Sequence, residues 1–198
     1  FEQVYDAAGV PIEGLYVDRN GDGTVTPDDM YRYKKAAPDA TFGFYTGVNL
    51  GNFDLSLGAR AMVGNYVYNN NLASQGVYDF VYNSSGGSGG GYLNNVDSQT
   101  EALDINTPRY FSDHYVQDGS FLRIDHITAG YDFGNIGSAI SSFRLSITAQ
   151  NPLLITGYDG IDPEIAARDI TTNSVGFGID NNIYPRSRTV LLGLNVKF

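Results

Sequence analysis

The chain has 198 residues, no Cys, no Trp, 17% charged residues, 24 Gly and a formal net charge of −10. Charged residues fall short of the usual ~25%, and glycine exceeds its usual ~7%. The acidic balance excludes nucleic acid, whose phosphates need a basic surface, and a polybasic dock on anionic lipid. Without a thiol there are no disulfides, thiolate metal sites or Cys nucleophiles. No run approaches the roughly 18 apolar residues of a transmembrane helix. The opening FEQVYDAAGV lacks the basic start and apolar run of a signal peptide, and reads as a piece of something longer.

In chain order, residues 12–17 read as a strand. Residues 18–29 (DRNGDGTVTPDD) then carry oxygen-bearing side chains at the spacing of an EF-hand-type calcium loop. Such a loop takes ligands from positions 1, 3, 5, 7, 9 and 12, with glycine at 6 for the turn. Those positions are Asp18, Asn20, Asp22, Thr24 (through its main-chain carbonyl), Thr26 and Asp29, with Gly23 at the sixth. Position 12 is Asp in place of the bidentate Glu of sensors, as in dockerin-type loops, and the helix before the loop is missing because residues 12–17 read as a strand. The expectation is structural calcium. The competing reading is an Asp/Asn/Gly turn closed by its own hydrogen bonds. A turn or two of helix is expected in residues 27–37 and in 163–169, each opened by proline and acids.

From residue 41 the period is two. Residues 41–50 place Phe42, Phe44, Val48 and Leu50 together. In 53–63, Phe53, Leu55, Leu57, Ala59, Ala61 and Val63 share one face, and Asp54, Ser56, Gly58, Arg60 and Met62 the other. In 120–133, Leu122 and Ile124 share a face, but the apolar set continues as Ile127, Ala129, Tyr131 and Phe133. The parity change at Asp125 and His126 reads as a β-bulge. Residues 142–151 set Phe143, Leu145, Ile147 and Ala149 against Arg144, Ser146, Thr148 and Gln150. Residues 188–198 set Val190, Leu192, Leu194, Val196 and Phe198 against Thr189, Leu191, Gly193, Asn195 and Lys197. The fold class is all-β and antiparallel.

The connections alternate in length. A tight turn at Gly51 and Asn52 and the link FGNIGSAISS are short, whereas 64–119 and 151–186 are long. Compact soluble domains rarely carry structureless loops beyond ~15 residues, and short turns opposite long loops characterise outer-membrane barrels. Strands of about ten residues match the ~9–11 that a tilted crossing needs. With the short turns periplasmic, residues 1–40 and both long loops lie outside the cell and residue 198 ends on the periplasmic side. Arg60, Arg144, Ser146, Gln150, Asn195 and Lys197 then face the lumen, and Leu57, Leu145, Ile147, Leu192 and Leu194 face lipid.

The segments RYFSDHYVQDGSFLRIDHITAGYDF, FRLSITAQNPLLITGYDGIDPE and GIDNNIYPRSRTVLLGLNVKF resemble the C-terminal part of SusC/RagA-type TonB-dependent outer-membrane receptors. DRNGDGTVTPDD and ATFGFYTGVNLGNFDLSLGARAMVGN are similar to that family in the same order; residues 68–106 are not covered. The resemblance implies about five C-terminal strands of a large antiparallel transmembrane barrel of about 22 strands with a plugged lumen. It further implies import of oligosaccharides or peptides, a SusD-like surface lipoprotein as lid, and energy from the TonB complex. Nothing in the chain matches the plug or TonB box, so the remaining strands and plug are expected outside it. Gly193, Val196 and Phe198 fit the outer-membrane assembly signal of that class, with Leu191 departing from its polar opening.

The alternative is a soluble, calcium-stabilised β-sandwich serving as a cell-surface binding module. An enzyme is not expected. Asp159, Asp162 and Glu164 form no identifiable glycosidase pair, and His114 and His126 lack metal-ligand spacing. No serine has a G-x-S-x-G context, and Gly86 to Gly91 read as a mobile loop, not a phosphate cradle. Tyr66, Tyr68, Tyr78, Phe80, Tyr82 and Tyr92 divide between ligand or partner contacts and the membrane-interface girdle.

Overall fold

The computed structural model describes residues 1–83, 91–109, 111–165, 176–181 and 184–198. In chain order it contains β1 (Gln3–Tyr5), β2 (Pro11–Tyr16), a 3-10 turn (Pro27–Asp29), β3 (Ala40–Leu50), β4 (Phe53–Val63), β5 (Tyr66–Tyr68), α1 (Asn70–Gln75), α2 (Tyr78–Val81), β6 (Tyr82–Asn83), β7 (Tyr92–Leu93), α3 (Thr100–Leu103), a second 3-10 turn (Asp113–Tyr115), β8 (Val116–Asp118), β9 (Phe121–Asp132), β10 (Ser142–Thr156) and β11 (Thr189–Lys197). These fall into two units. A sheet unit comprises residues 38–65, 119–158 and 184–198, and a loop unit residues 1–37, 66–118 and 159–183.

The sheet unit follows from the period-two pattern. Its strands lie in the order β11, β10, β9, β4, β3, every neighbouring pair antiparallel. Gly51 makes the β3–β4 turn at φ +60, which costs glycine no Cβ clash. The registers align the apolar residues in transverse rows. Val48, Leu55, Ala129, Ile147 and Leu192 form one, and Leu50, Phe53, Tyr131, Leu145 and Leu194 the next.

The bulge expected at Asp125 and His126 is present. Gly58 pairs with His126 and Ala59 with Ile124, which leaves Asp125 as the extra residue against β4. On the other edge Gln150 pairs with His126 and Leu153 with Ile124, so β10 sets Asn151 and Pro152 at the same level. Asn151 takes φ 49 and Pro152 has no N–H to donate, and both suit an interrupted ladder. Leu122 and Ile124 therefore share a face with Ile127, Ala129 and Tyr131.

Two expectations need correction. The strand expected at 142–151 runs on to Thr156, because Leu153 and Ile155 resume the alternation past the bulge, so the long connection starts later. The helix expected in 27–37 is only the 3-10 turn Pro27–Asp29, and Met30 is already extended. A short helix without a continuous apolar stripe does not sustain itself, and Tyr31 instead donates to Asp113 Oδ2 at 2.5 Å. Of the second expected helix, residues 163–165 are irregular and 166–169 lie outside the described residues.

Burial separates the units. On the sheet the apolar face is the exposed one: Leu192 is 84% exposed and Leu194 64%. Gly58, Arg123 and Gly130, on the polar face, are buried. The other sheets among the described residues are two-stranded. In the loop unit Leu72, Ala73, Val77, Leu103, Ile105 and Tyr115 form a core, with Tyr68 and Phe80 packed against it. Asn69 starts α1 by accepting from Leu72 N at 2.9 Å. β5 pairs with β8 on one edge and bridges Ile179 on the other. Residues 64–119 thus contain folded substructure, in helices too short to display a 3.6-residue period.

Candidate functional site

The polar face of the sheet is organised by glycines. Arg144 of β10 reaches across β9 to Asp54 of β4, with Nε and Nη2 donating to Oδ1 and Oδ2 at 3.1 and 2.7 Å. Gly130 lies between them, and a Cβ there would overlap both side chains. The bidentate pair, the strongest geometry for these groups, exists because that position has no side chain. Thr128 and Thr148 meet through their hydroxyls at 2.9 Å. Gly58 leaves room for the His126 ring, whose centroid lies 6.0 Å from that of Tyr45. At the bulge, Arg60 and Arg123 stand opposite each other in register, an arrangement that repels. The extra residue, Asp125, supplies a counter-charge 3.3 Å from Arg60 Nε.

The register sets Arg60, Arg144, Ser146, Gln150, Asn195 and Lys197 on this face, and Leu57, Leu145, Ile147, Leu192 and Leu194 on the opposite one. The ion pairs themselves were not foreseen. The signal available in the sequence was glycine inside a strand, which marks a close approach.

In the loop unit, Glu13 of β2 accepts five hydrogen bonds. Its Oε1 accepts from Thr107 N at 3.1 Å, Thr107 Oγ1 at 2.8 Å and Arg109 Nη2 at 3.0 Å. Its Oε2 accepts from Asn106 N at 3.1 Å and Asn106 Nδ2 at 2.9 Å. Burial pushes this carboxyl up, but the bonds from Asn106 and Thr107 together outweigh it and hold the group down to about 2. Nearby, Asp113 accepts from Gln3 N at 2.9 Å. Tyr5 Oη lies 3.1 Å from His114 Nδ1, and burial holds that imidazole below its ordinary range. No motif marked these residues, because each contact joins segments about ninety or more positions apart.

The six expected calcium ligands lie on one loop that its own hydrogen bonds close. Asp18 accepts from Gly21 N at 2.7 Å and Gly23 N at 2.8 Å. Asp22 accepts from Thr24 N at 2.8 Å, which holds its carboxyl low, and Asn20 from Asp22 N at 2.9 Å. Asp29 is buried and accepts from Thr26 N, Arg19 N and Asn20 N at 2.8, 2.8 and 3.2 Å. Among the described residues no three His, Cys, Asp or Glu side chains are grouped to hold a metal ion. The donor types suit a hard cation, since a carboxylate oxygen that accepts one N–H keeps a second lone pair; their arrangement is that of a turn.

Tyr68 and Phe80 belong to the loop-unit core, whereas Tyr78, Tyr82 and Tyr92 are exposed. Asp159 N and Oδ2 pair with the Gln117 amide at 3.3 Å each, and Asp162 accepts from Glu164 N at 2.9 Å. Of the glycine cluster Gly86 to Gly91 expected as a loop, residues 86–90 lie outside the described residues.

A meander that exposes aligned leucines and half-buries its ion pairs is part of an outer-membrane β-barrel, a class whose strands turn their apolar side to lipid. No protein-family model matches the chain. It is 39% identical over 208 residues to the TonB-dependent receptor SusC of Bacteroides thetaiotaomicron, an alignment covering 100% of the chain and 19% of that protein. It is 29% identical over 195 residues to the TonB-dependent receptor P3 of Formosa agariphila, covering 93% of the chain and 19% of that receptor. The RagAB peptide importer superposes in its closed-closed state with TM-score 0.61, at 24% identity over 98% of this chain and 20% of that one. In the open-open state the TM-score is 0.62, at 22% identity over 99% and 20%. The chain is homologous over its whole length to SusC-type TonB-dependent receptors, and its strands are those of an outer-membrane barrel. It spans about a fifth of the length of the curated relatives it matches.

Proposed function

We propose that this chain forms part of a TonB-dependent transporter that imports large nutrients, oligosaccharides or peptides, beneath a SusD-like surface lipoprotein. The observation that carries the reading is the sheet's inverted polarity in a chain 39% identical to SusC. In lipid an open sheet edge leaves backbone groups without partners, at several kcal/mol per group. β3 and β11 therefore pair with strands outside this chain, around a lumen filled by a plug. The loop unit lies outside the cell, on the rim beneath the lid. The soluble-sandwich alternative lacks its second large sheet among the described residues. The intact receptor purified from the outer membrane should bring down a surface lipoprotein and a bound oligosaccharide or peptide. Recovery as a monodisperse, detergent-free monomer would overturn the reading.

Calcium at Asp18, Asn20, Asp22, Thr24, Thr26 and Asp29 belongs to the same proposal, supported by the spacing of oxygen donors around Gly23. Its role is to stiffen the approach to β3, with no part in chemistry. Calcium should protect this loop from proteolysis, and joint Asp18→Ala and Asp22→Ala substitution should abolish the protection. Equal cleavage with calcium and with chelator in the parent protein leaves only a turn.

A further inference from the structure

The donors around Glu13 form a site in their own right. Asn106, Thr107 and Arg109 come from one stretch of four residues, in which Pro108 restricts the backbone. Together they present two main-chain N–H groups, one amide, one hydroxyl and one guanidinium to a single carboxylate. An ordinary surface ion pair uses one or two donors and contributes little; here both oxygens are bonded from a contiguous segment. All of these donors come from residues 106–109, and β2 supplies the carboxylate they meet. Beside it, Gly14 at φ +72 presents bare backbone to the Arg109 guanidinium, with nothing to crowd it. Arg109 Nε is buried and has no hydrogen-bond partner among the described residues, a donor that the Glu13 side chain does not reach.

We propose that residues 106–109 are a carboxylate receptor, occupied by Glu13 as a tethered ligand, which accepts a free carboxylate when Glu13 is withdrawn. The tether keeps the resident carboxylate at high effective concentration, so the site is closed in the parent chain. A ligand that displaces Glu13 must carry a carboxylate, and a further acceptor near it would engage Arg109 Nε. Because β2 leads directly into residues 18–29, displacement frees that loop's entry as well. The site stands whether or not the receptor imports nutrients.

The test uses the intact receptor in detergent, with amide exchange followed over residues 105–109. Glu13→Ala should speed exchange at Asn106 and Thr107 about tenfold or more, the equivalent of one hydrogen bond to a charged group. Excess propionate should restore protection, and propionamide should not. Adding Arg109→Gln should abolish the rescue. If Glu13→Ala also opens Leu72 and Tyr115, the same comparison is read in Glu13→Ser, which likewise vacates the site but keeps a polar side chain on β2. Equal effects of propionate and propionamide, or no restoration in either variant, would overturn the proposal.

Discussion

In the loop unit Leu72 is 1% exposed, and in the sheet unit Leu192 is 84% exposed. Both are leucines in regular secondary structure, and the difference lies in what each unit uses to shield apolar surface. The loop unit packs short helices around its own apolar side chains and buries polar groups such as Asn69 and Asp29 only with hydrogen-bond partners. The sheet turns Leu145, Ile147, Leu192 and Leu194 outward and gathers Asp54, Arg60, Asp125 and Arg144 on the other side. Water suits the first arrangement and hydrocarbon the second. One chain thus reads as parts built for two solvents, and burial statistics taken over the whole of it would average the two away.

The comparison breaks first at the loop-unit core. Leu72→Ala should cost ~2–5 kcal/mol of local stability, read as faster exchange of α1 and β5 amides. A cost within experimental error would mean that the cluster is not a core. On the sheet the mirror experiment introduces charge. Leu192→Lys should cost ~2–4 kcal/mol if the residue lies near mid-membrane, measured by urea unfolding of the receptor in bilayers, while Asn195→Lys should cost far less. Equal tolerance at the two positions would reverse the assigned faces. Within the polar face, Gly130→Ala should cost ~1–3 kcal/mol by forcing Arg144 away from Asp54. Part of that should return in the Asp54→Ala background, and a fully additive double-mutant cycle would remove the crossing pair from the account.

The smallest effect is one of pH and belongs to the loop unit. The Glu13 carboxyl is held down to about 2 from its ordinary 4.5. Its stabilising contribution is therefore complete above pH 4.5 and is lost as the pH falls toward 2. Exchange at Asn106 and Thr107, corrected for intrinsic rates, should accelerate through that window and become pH-independent in Glu13→Gln. An unchanged profile in that variant would place the titration elsewhere.

Much of the sheet was legible in the sequence, because a strand writes its two faces into alternate residues and a lipid-facing barrel leaves that pattern undisturbed. Even the bulge at Asp125 could be read, since an inserted residue flips parity and the apolar set resumes one position out of step. The extension of β10 was not legible, because Asn151-Pro152 looks like an end until β9 is seen to supply a partner on both sides of it. Nor were the ion pairs, which depend on which strands become neighbours.

The loop unit shows the same limit more strongly. Its helices of four to six residues are too short to show a period, and Tyr68 looked no different from Tyr82 until one joined a core and the other did not. The spacing in residues 18–29 named the oxygen donors, but only the folded loop assigned their acceptors to its own N–H groups. By itself, then, the sequence determined the all-β pattern and the two faces of each strand, which are carried by near neighbours in the chain, and the likeness to SusC-type receptors, which runs along its whole length. Tertiary structure alone decided the Arg144–Asp54 crossing, the counter-charge at the bulge and the Glu13 clasp. Each of these joins residues far apart in sequence, whose meeting no local propensity encodes.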